Sequence, residues 1–102
     1  MTKLQLTVYL NEGHRSSDGV PLHEGVVRRL LSAHITGATV LRGVMGYGKH
    51  GKVHQTRLFG VSDDRPMVIV AIDEAERIRA VLPEIKAMVP EGLITLQEIE
   101  VP

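Results

Sequence analysis

Residues able to do chemistry crowd into Arg42 to Gly60 of this 102-residue chain, a stretch that reads RGVMGYGKHGKVHQTRLFG. It holds five of the ten glycines, four of the twelve lysines and arginines, two of the five histidines and no acid. Glycine lets backbone amides approach a ligand closely, while lysine, arginine and histidine supply positive charge. The chemistry this suits is anion binding. Gly46-Tyr47-Gly48-Lys49-His50-Gly51-Lys52 offers successive amides and two lysines, the makings of a phosphate cradle. It is not a Walker A loop, because Val53 stands where Ser or Thr would be needed and no helix start follows. Nor is it a dinucleotide fingerprint, which follows a first strand and opens a helix.

Other chemistries find less support. The chain has no cysteine, which excludes a disulfide framework and a thiolate metal site. Ser16, Ser17, Ser32 and Ser62 show no nucleophile-elbow spacing. The carboxylate pairs Asp63-Asp64 and Asp73-Glu74 fall where a turn and a helix cap are expected, which suits structure better than acid–base work. No enzyme is expected. His50 and His54 are four apart, and His14 and His23 lie around the first loop. An i, i+4 pair suits zinc in a helix, but this segment is too rich in glycine to be helical and no acid accompanies it. His14, His50 and His54 stand as an alternative metal set. Nucleic acid is not an expected partner: net charge is zero, and Tyr9, Tyr47 and Phe59 are the only aromatics.

The elements that must position this stretch are readable from periodicity. Leu4, Leu6, Val8 and Leu10 alternate with Lys3, Gln5, Thr7 and Tyr9, the pattern of a strand with one buried face. Asn11 to Gly19 is turn chemistry, and Pro21 suits the first position of a helix. Leu22, Val26, Leu30 and Ala33 follow at helical spacing, and His34 to Gly37 ends that helix. Ala38 to Met45 reads as a second strand, and Val53 to Phe59 as a flexible hairpin arm. Pro66 to Ile72 is the most apolar, most β-branched run and predicts a central strand buried on both faces. Asp73 is placed to cap a second helix, with Glu76 three residues on. Ile78, Val81, Leu82, Ile85 and Met88 form its apolar stripe, and Pro83 predicts a kink or split near Val81. Leu93 to Val101 reads as a last strand, with a bulge or break near Gln97 where the apolar face switches.

Strand-helix-strand repeated twice in one domain, residues 1–102, is the α+β, ferredoxin-like βαββαβ order. It implies a four-stranded antiparallel sheet with two helices on one face and a long loop between the second and third of its strands. Loops of that length are usually functional or disordered. The zero net charge hides a segregation. Residues 25–62 carry Arg28, Arg29, Arg42, Lys49, Lys52 and Arg57 with no acid, whereas residues 63–102 carry nine acids against four bases. The opening residues have no apolar run long enough for a signal peptide, and no segment is apolar enough for membrane insertion. The cytoplasm is the expected compartment.

Gly37-Ala38-Thr39-Val40-Leu41-Arg42-Gly43-Val44-Met45-Gly46-Tyr47-Gly48, preceded by a Pro21-Leu22 helix start, resembles the PII-like family known as domain of unknown function 190. Leu82-Pro83 and Glu91-Gly92-Leu93-Ile94-Thr95-Leu96 are similar to its pattern as well, so that the likeness runs from Leu4 to Val101. The resemblance implies a homotrimer that binds small effectors, commonly adenine nucleotides, in clefts between subunits. It also implies a mobile loop that docks on partners such as membrane transporters, and some members lie near fluoride-channel genes. Gly46-Tyr47-Gly48-Lys49-His50-Gly51 looks like the glycine turn and Lys-Gly-His of PII proteins, which puts Gly46, Gly48, Lys49 and His50 at the ligand.

The expectation is therefore a non-enzymatic signalling trimer with an adenine nucleotide as effector and no resident cofactor. Arg42, Lys49 and Arg57 would neutralise its charge, and Gly43, Gly46, Tyr47, Gly48 and His50 would complete the contacts. Loop 47–64 would dock a partner, a membrane transporter or channel. The alternatives are a metal-ion binding or tolerance protein on the same scaffold and a structural trimer without a small ligand. PII proteins use basic residues near the last strand to hold phosphates, but here Glu98 and Glu100 occupy that strand and no Lys or Arg follows Lys86. The loop has no tyrosine near its tip for nucleotidylylation, and Gln55 lies too far along to replace the effector-sensing glutamine.

Overall fold

Leu4, Leu6, Val8 and Leu10 do share one face of a strand, β1 (Lys3–Asn11), where each is at most 5% exposed. The structure, a computed structural model, describes residues 2–48, 53–55 and 65–102, with the backbone alone for 53–55. The elements that follow are α1 (Leu22–Ser32), β2 (Ala38–Arg42), β3 (Met45–Tyr47), β4 (Val53–Gln55), β5 (Pro66–Glu74), α2 (Ala75–Met88) and β6 (Leu93–Ile99). An antiparallel sheet of order β2-β5-β1-β6 carries both helices on one face, and β3 pairs with β4 as a separate hairpin in the β2–β5 connection. The core lies between the layers. Leu22, Val26 and Leu30 of α1 and Ile78, Val81 and Ile85 of α2 pack on Leu6, Val8, Ile69 and Ala71 of the sheet. This is the expected ferredoxin-like architecture, with Gly43 to Gly48 at one end of the sheet.

The other face of the sheet is open. Val68 and Val70 are half-buried and Ile72 is exposed, so β5 is buried on one face rather than on both. A β-branched run allows burial on two faces, but both helices sit on the same side. The register lines up an apolar row across the open face at the arm end: Leu41 opposite Val68, Val68 opposite Tyr9, and Tyr9 opposite Leu93. Tyr9 is 43%, Leu41 54% and Leu93 59% exposed. Such a row on a flat sheet face is surface that a partner normally covers.

Several local expectations change. The strand expected over Ala38–Met45 breaks into β2 and β3, because the chain turns at Gly43 against β5. Helix α1 starts at Leu22 with Pro21 as its N-cap residue. Helix α2 runs unbroken through Pro83, which is exposed. Strand β6 has no bulge at Gln97: it pairs in continuous register from Tyr9↔Leu93 to Lys3↔Ile99. Leu96 and Ile99 lie on opposite faces of this edge strand, each half-buried, which produced the switch in pattern.

Asp73 does not cap α2. It sits on the helix face at 4% exposure, and its Oδ2 accepts from the Thr36 N–H and the Thr36 hydroxyl, both at 2.9 Å. Its Oδ1 accepts from the Glu74 N–H at 2.7 Å. Burial pushes the Asp73 carboxyl up. The hydrogen bonds from Glu74 and Thr36, helped by Arg77, outweigh burial and hold it below its ordinary 3.8. The carboxylate thereby ties the turn before β2 to the end of β5.

Helix α1 ends in a Schellman turn. The Ile35 N–H donates to Leu30 O at 3.1 Å and the His34 N–H to Leu31 O at 3.0 Å, while Leu30 and Ile35 meet in the core. The turn puts His34 at φ 64°, a left-handed conformation that penalises a side chain. His34→Gly is expected to raise stability by about 0.5–1 kcal/mol, because relief of the Cβ clash exceeds the entropic cost of glycine. A urea titration checks this, and a lower midpoint would show that the exposed imidazole contributes more than the strain costs.

Candidate functional site: the base of the arm

The arm is seated on one residue. Gly43, directly after β2, donates its N–H to Pro66 O at 2.7 Å. A Cβ at Gly43 would lie 3.0 Å from Pro66 Cβ, and one at Gly46 would lie 3.1 Å from Pro66 Cγ. A side chain at either position would need the Pro66 ring to give by a few tenths of an ångström. The bond to Pro66 O occupies the Gly43 amide. Gly46 faces Pro66, so Met45 and Tyr47 project from the opposite face of β3, 61% and 76% exposed. The hairpin register is Met45↔Gln55, Gly46↔His54 and Tyr47↔Val53. Gly48 follows, with nothing within 4 Å of a would-be Cβ.

Arg42, the last residue of β2, stands beside this turn. Its Nη2 donates to Glu12 Oε2 at 2.6 Å. Glu12 follows the end of β1, where its own N–H donates to Arg65 O at 2.8 Å. The charge segregation of the sequence is thus partly cancelled by folding. Arg28 lies 3.5 Å from Glu24, and Arg29 Nη2 donates to Glu84 Oε1 at 2.6 Å between the two helices, where it holds the Glu84 carboxyl below its ordinary range. The described bases of residues 25–62 each face a carboxylate, so the field of that half is weaker than its composition suggests.

Of the residues singled out in the sequence, Arg42, Gly43, Gly46, Tyr47 and Gly48 come together here. Lys49, His50 and Arg57 lie outside the described residues, as does most of loop 47–64. His54 is described only through its backbone, opposite Gly46. His14 lies in the loop after β1, where its N–H donates to Asn11 O and its carbonyl accepts from Leu22 N. Among the described residues no group of three or more His, Cys, Asp or Glu could hold a metal. Glu98 and Glu100 line a recess with Thr2, Lys3, Ile99 and Val101 at the opposite end of the sheet.

Sequence reasoning missed Pro66 and Glu12. In the sequence Pro66 reads only as the start of an apolar strand, with nothing to mark it as the seat of Gly43 and Gly46. Glu12 carried none, being one acid in a turn-forming loop 30 residues from Arg42.

A ferredoxin-like sheet with both helices on one face and a hairpin in the β2–β5 connection is a fold shared with PII-like proteins of known structure. The solved structures with this fold include CPII, a nitrogen regulatory PII-like protein from Thiomonas intermedia K12 bound to ADP, AMP and bicarbonate. It shares 21% identity at a TM-score of 0.75, over 99% of this chain and 89% of that one. CutA from Xylella fastidiosa matches at a TM-score of 0.67 and 14% identity, over 98% of this chain and 86% of that one. The chain itself belongs to the DUF190 family, described as uncharacterized ACR, whose family model matches residues 3–101. A UPF0166 protein of Aquifex aeolicus is 36% identical over 99 residues, 97% of this chain and 92% of the relative.

Proposed function

We propose that this chain is a non-enzymatic PII-like regulator. Copies assemble as a homotrimer through the open sheet face, and an anionic effector of the adenine-nucleotide class binds at the arm base between subunits. Binding changes how loop 47–64 docks on a partner protein such as a membrane transporter or channel. The cytoplasm is the compartment that fits this role. Among the described residues no helix is long and apolar enough to cross a membrane.

The observation that carries this reading is a juxtaposition at one end of the sheet. The clamped turn Gly43–Gly46, the Arg42 guanidinium and the apolar row Leu41, Val68, Tyr9 and Leu93 all lie there. A cleft formed where another copy covers that row would have an anion-binding wall and a ready hinge. Cyclic packing of open sheets covers each face and generates equivalent clefts. CPII, which has the same fold, was crystallised with ADP and AMP, and this supports the choice of effector class.

Titration calorimetry of the purified protein against ATP, ADP, AMP and cyclic nucleotides tests it. Saturable binding of at least one is expected, with affinity falling as salt rises. Absence of heat with every nucleotide at millimolar concentration would sink the nucleotide reading. Native mass spectrometry of the same sample reports subunit count and any ligand carried through purification.

A further inference from the structure

The guanidinium that the effector would recruit is already engaged. Arg42 Nη2 contacts Glu12 Oε2 at 2.6 Å. We infer that Glu12 is an internal competitor for the anionic effector, a carboxylate that occupies Arg42 until a phosphate group displaces it. The inference rests on the proposed binding of an anion at the arm base and deepens it.

The geometry separates a fixed partner from a movable one. The Glu12 side chain is 24% exposed and its backbone is held by Arg65 O, whereas the Arg42 side chain is 53% exposed. The backbone directly after Arg42 is pinned by the Gly43 bond to Pro66 O and by the close packing of Gly43 on that ring. Rotation of the Arg42 side chain is therefore the freedom left at this corner. Residues 25–62 contain no acid, so the counter-charge comes from another strand end instead of from the arm itself.

An effector must exchange one oxyanion for another on the same fork, and the displaced Glu12 carboxylate then stands close enough to repel it. The exchange on Arg42 favours ligands that carry more than one phosphate, and the repulsion from Glu12 opposes every anion. A di- or triphosphate gains more from Arg42 than the carboxylate does, while a weak monoanion does not. The contact would pair the Arg42 charge while the site is empty and set a threshold for occupancy.

Glu12→Gln removes the competing charge and leaves the backbone bond to Arg65 O available. Calorimetry with ADP and with inorganic pyrophosphate is expected to show binding about two- to fivefold tighter in E12Q than in the wild type, the range of a partly exposed ion pair. Raising salt should shrink the difference. Arg42→Gln should weaken binding, and E12Q added to that background should no longer tighten it by the same factor. Binding by the wild type with unchanged or weaker affinity in E12Q overturns the inference alone. So does an equal gain from E12Q in the R42Q background, which would mean that Glu12 acts on the ligand without passing through Arg42. Failure of both wild type and E12Q to bind either probe removes the anion reading and this inference with it.

Discussion

Val68→Glu is expected to leave a folded chain that no longer assembles beyond the monomer. Val68 stands in the interior strand β5 with Leu41 on one side and Tyr9 on the other, at the middle of the apolar row on the open face. Its neighbours in sequence, Met67 and Ile69, point to the helix side and carry the core at 3% and 0% exposure. A glutamate at position 68 therefore meets water in the isolated chain and disturbs no core contact. In an assembly that covers this face it would be an unpaired buried charge, and breaking such a site costs about 3–5 kcal/mol at each copy. Sedimentation equilibrium should report a trimer for the wild type and a monomer for the variant, with matching far-UV circular dichroism. A wild-type monomer would remove the trimer from the proposed function. A variant that kept the wild-type mass would place the interface elsewhere, and the open face would need another occupant.

Asp73→Asn is expected to cost about 2–3 kcal/mol and to lower the melting temperature by about 10 °C or more. Both carboxylate oxygens are acceptors here, Oδ2 for two donors of Thr36 and Oδ1 for the Glu74 N–H. Asparagine has one acceptor oxygen, so its NH₂ must face an N–H whichever way the amide turns. Charge-assisted bonds are the stronger kind, and the group is nearly fully buried, so little water can replace them. The same residue predicts a pH dependence. Its folded pKa is depressed below the ordinary 3.8, so its contribution is fully present well above that value. It is lost as pH falls through 3.8 toward the folded pKa, because the unfolded chain takes up the proton first. Urea midpoints measured from pH 6 down to pH 2 should show that loss in the wild type and a shallower slope in Asp73→Asn. Equal slopes would mean that other carboxylates govern acid unfolding.

Much of the fold was legible because local periodicity reports burial. The alternation from Leu4 to Leu10 and the helical spacing of Leu22, Val26 and Leu30 each named a face, and the structure buries those faces. The misreadings share one cause: residue type was taken to specify an environment that other elements supply. Val68, Val70 and Ile72 are as apolar as a doubly buried strand requires, but which faces are covered depends on where α1 and α2 dock. Asp73 has the spacing of a helix cap, but the strand runs to Glu74 and Thr36 takes the carboxylate from across the fold. At β6, the apparent break at Gln97 was an edge strand with a half-apolar residue set on each face.

The site divides in the same way. Composition alone marked Arg42 to Gly60 as the place to look, since glycines and bases in an acid-free stretch are local facts. The ordered motif from Gly37 to Gly48 carried the family resemblance, and the periodic order of strands and helices implied the ferredoxin-like fold. The seating of Gly43 and Gly46 on Pro66, the hold of Glu12 on Arg42 and the tie from Asp73 to Thr36 were decided only by tertiary structure. Each joins groups far apart in the chain, 30 residues for Glu12 and Arg42 and 37 for Thr36 and Asp73. Alternation in a strand says which face a residue takes, but the register against its neighbours says which residue it meets, and register is a property of the assembled sheet.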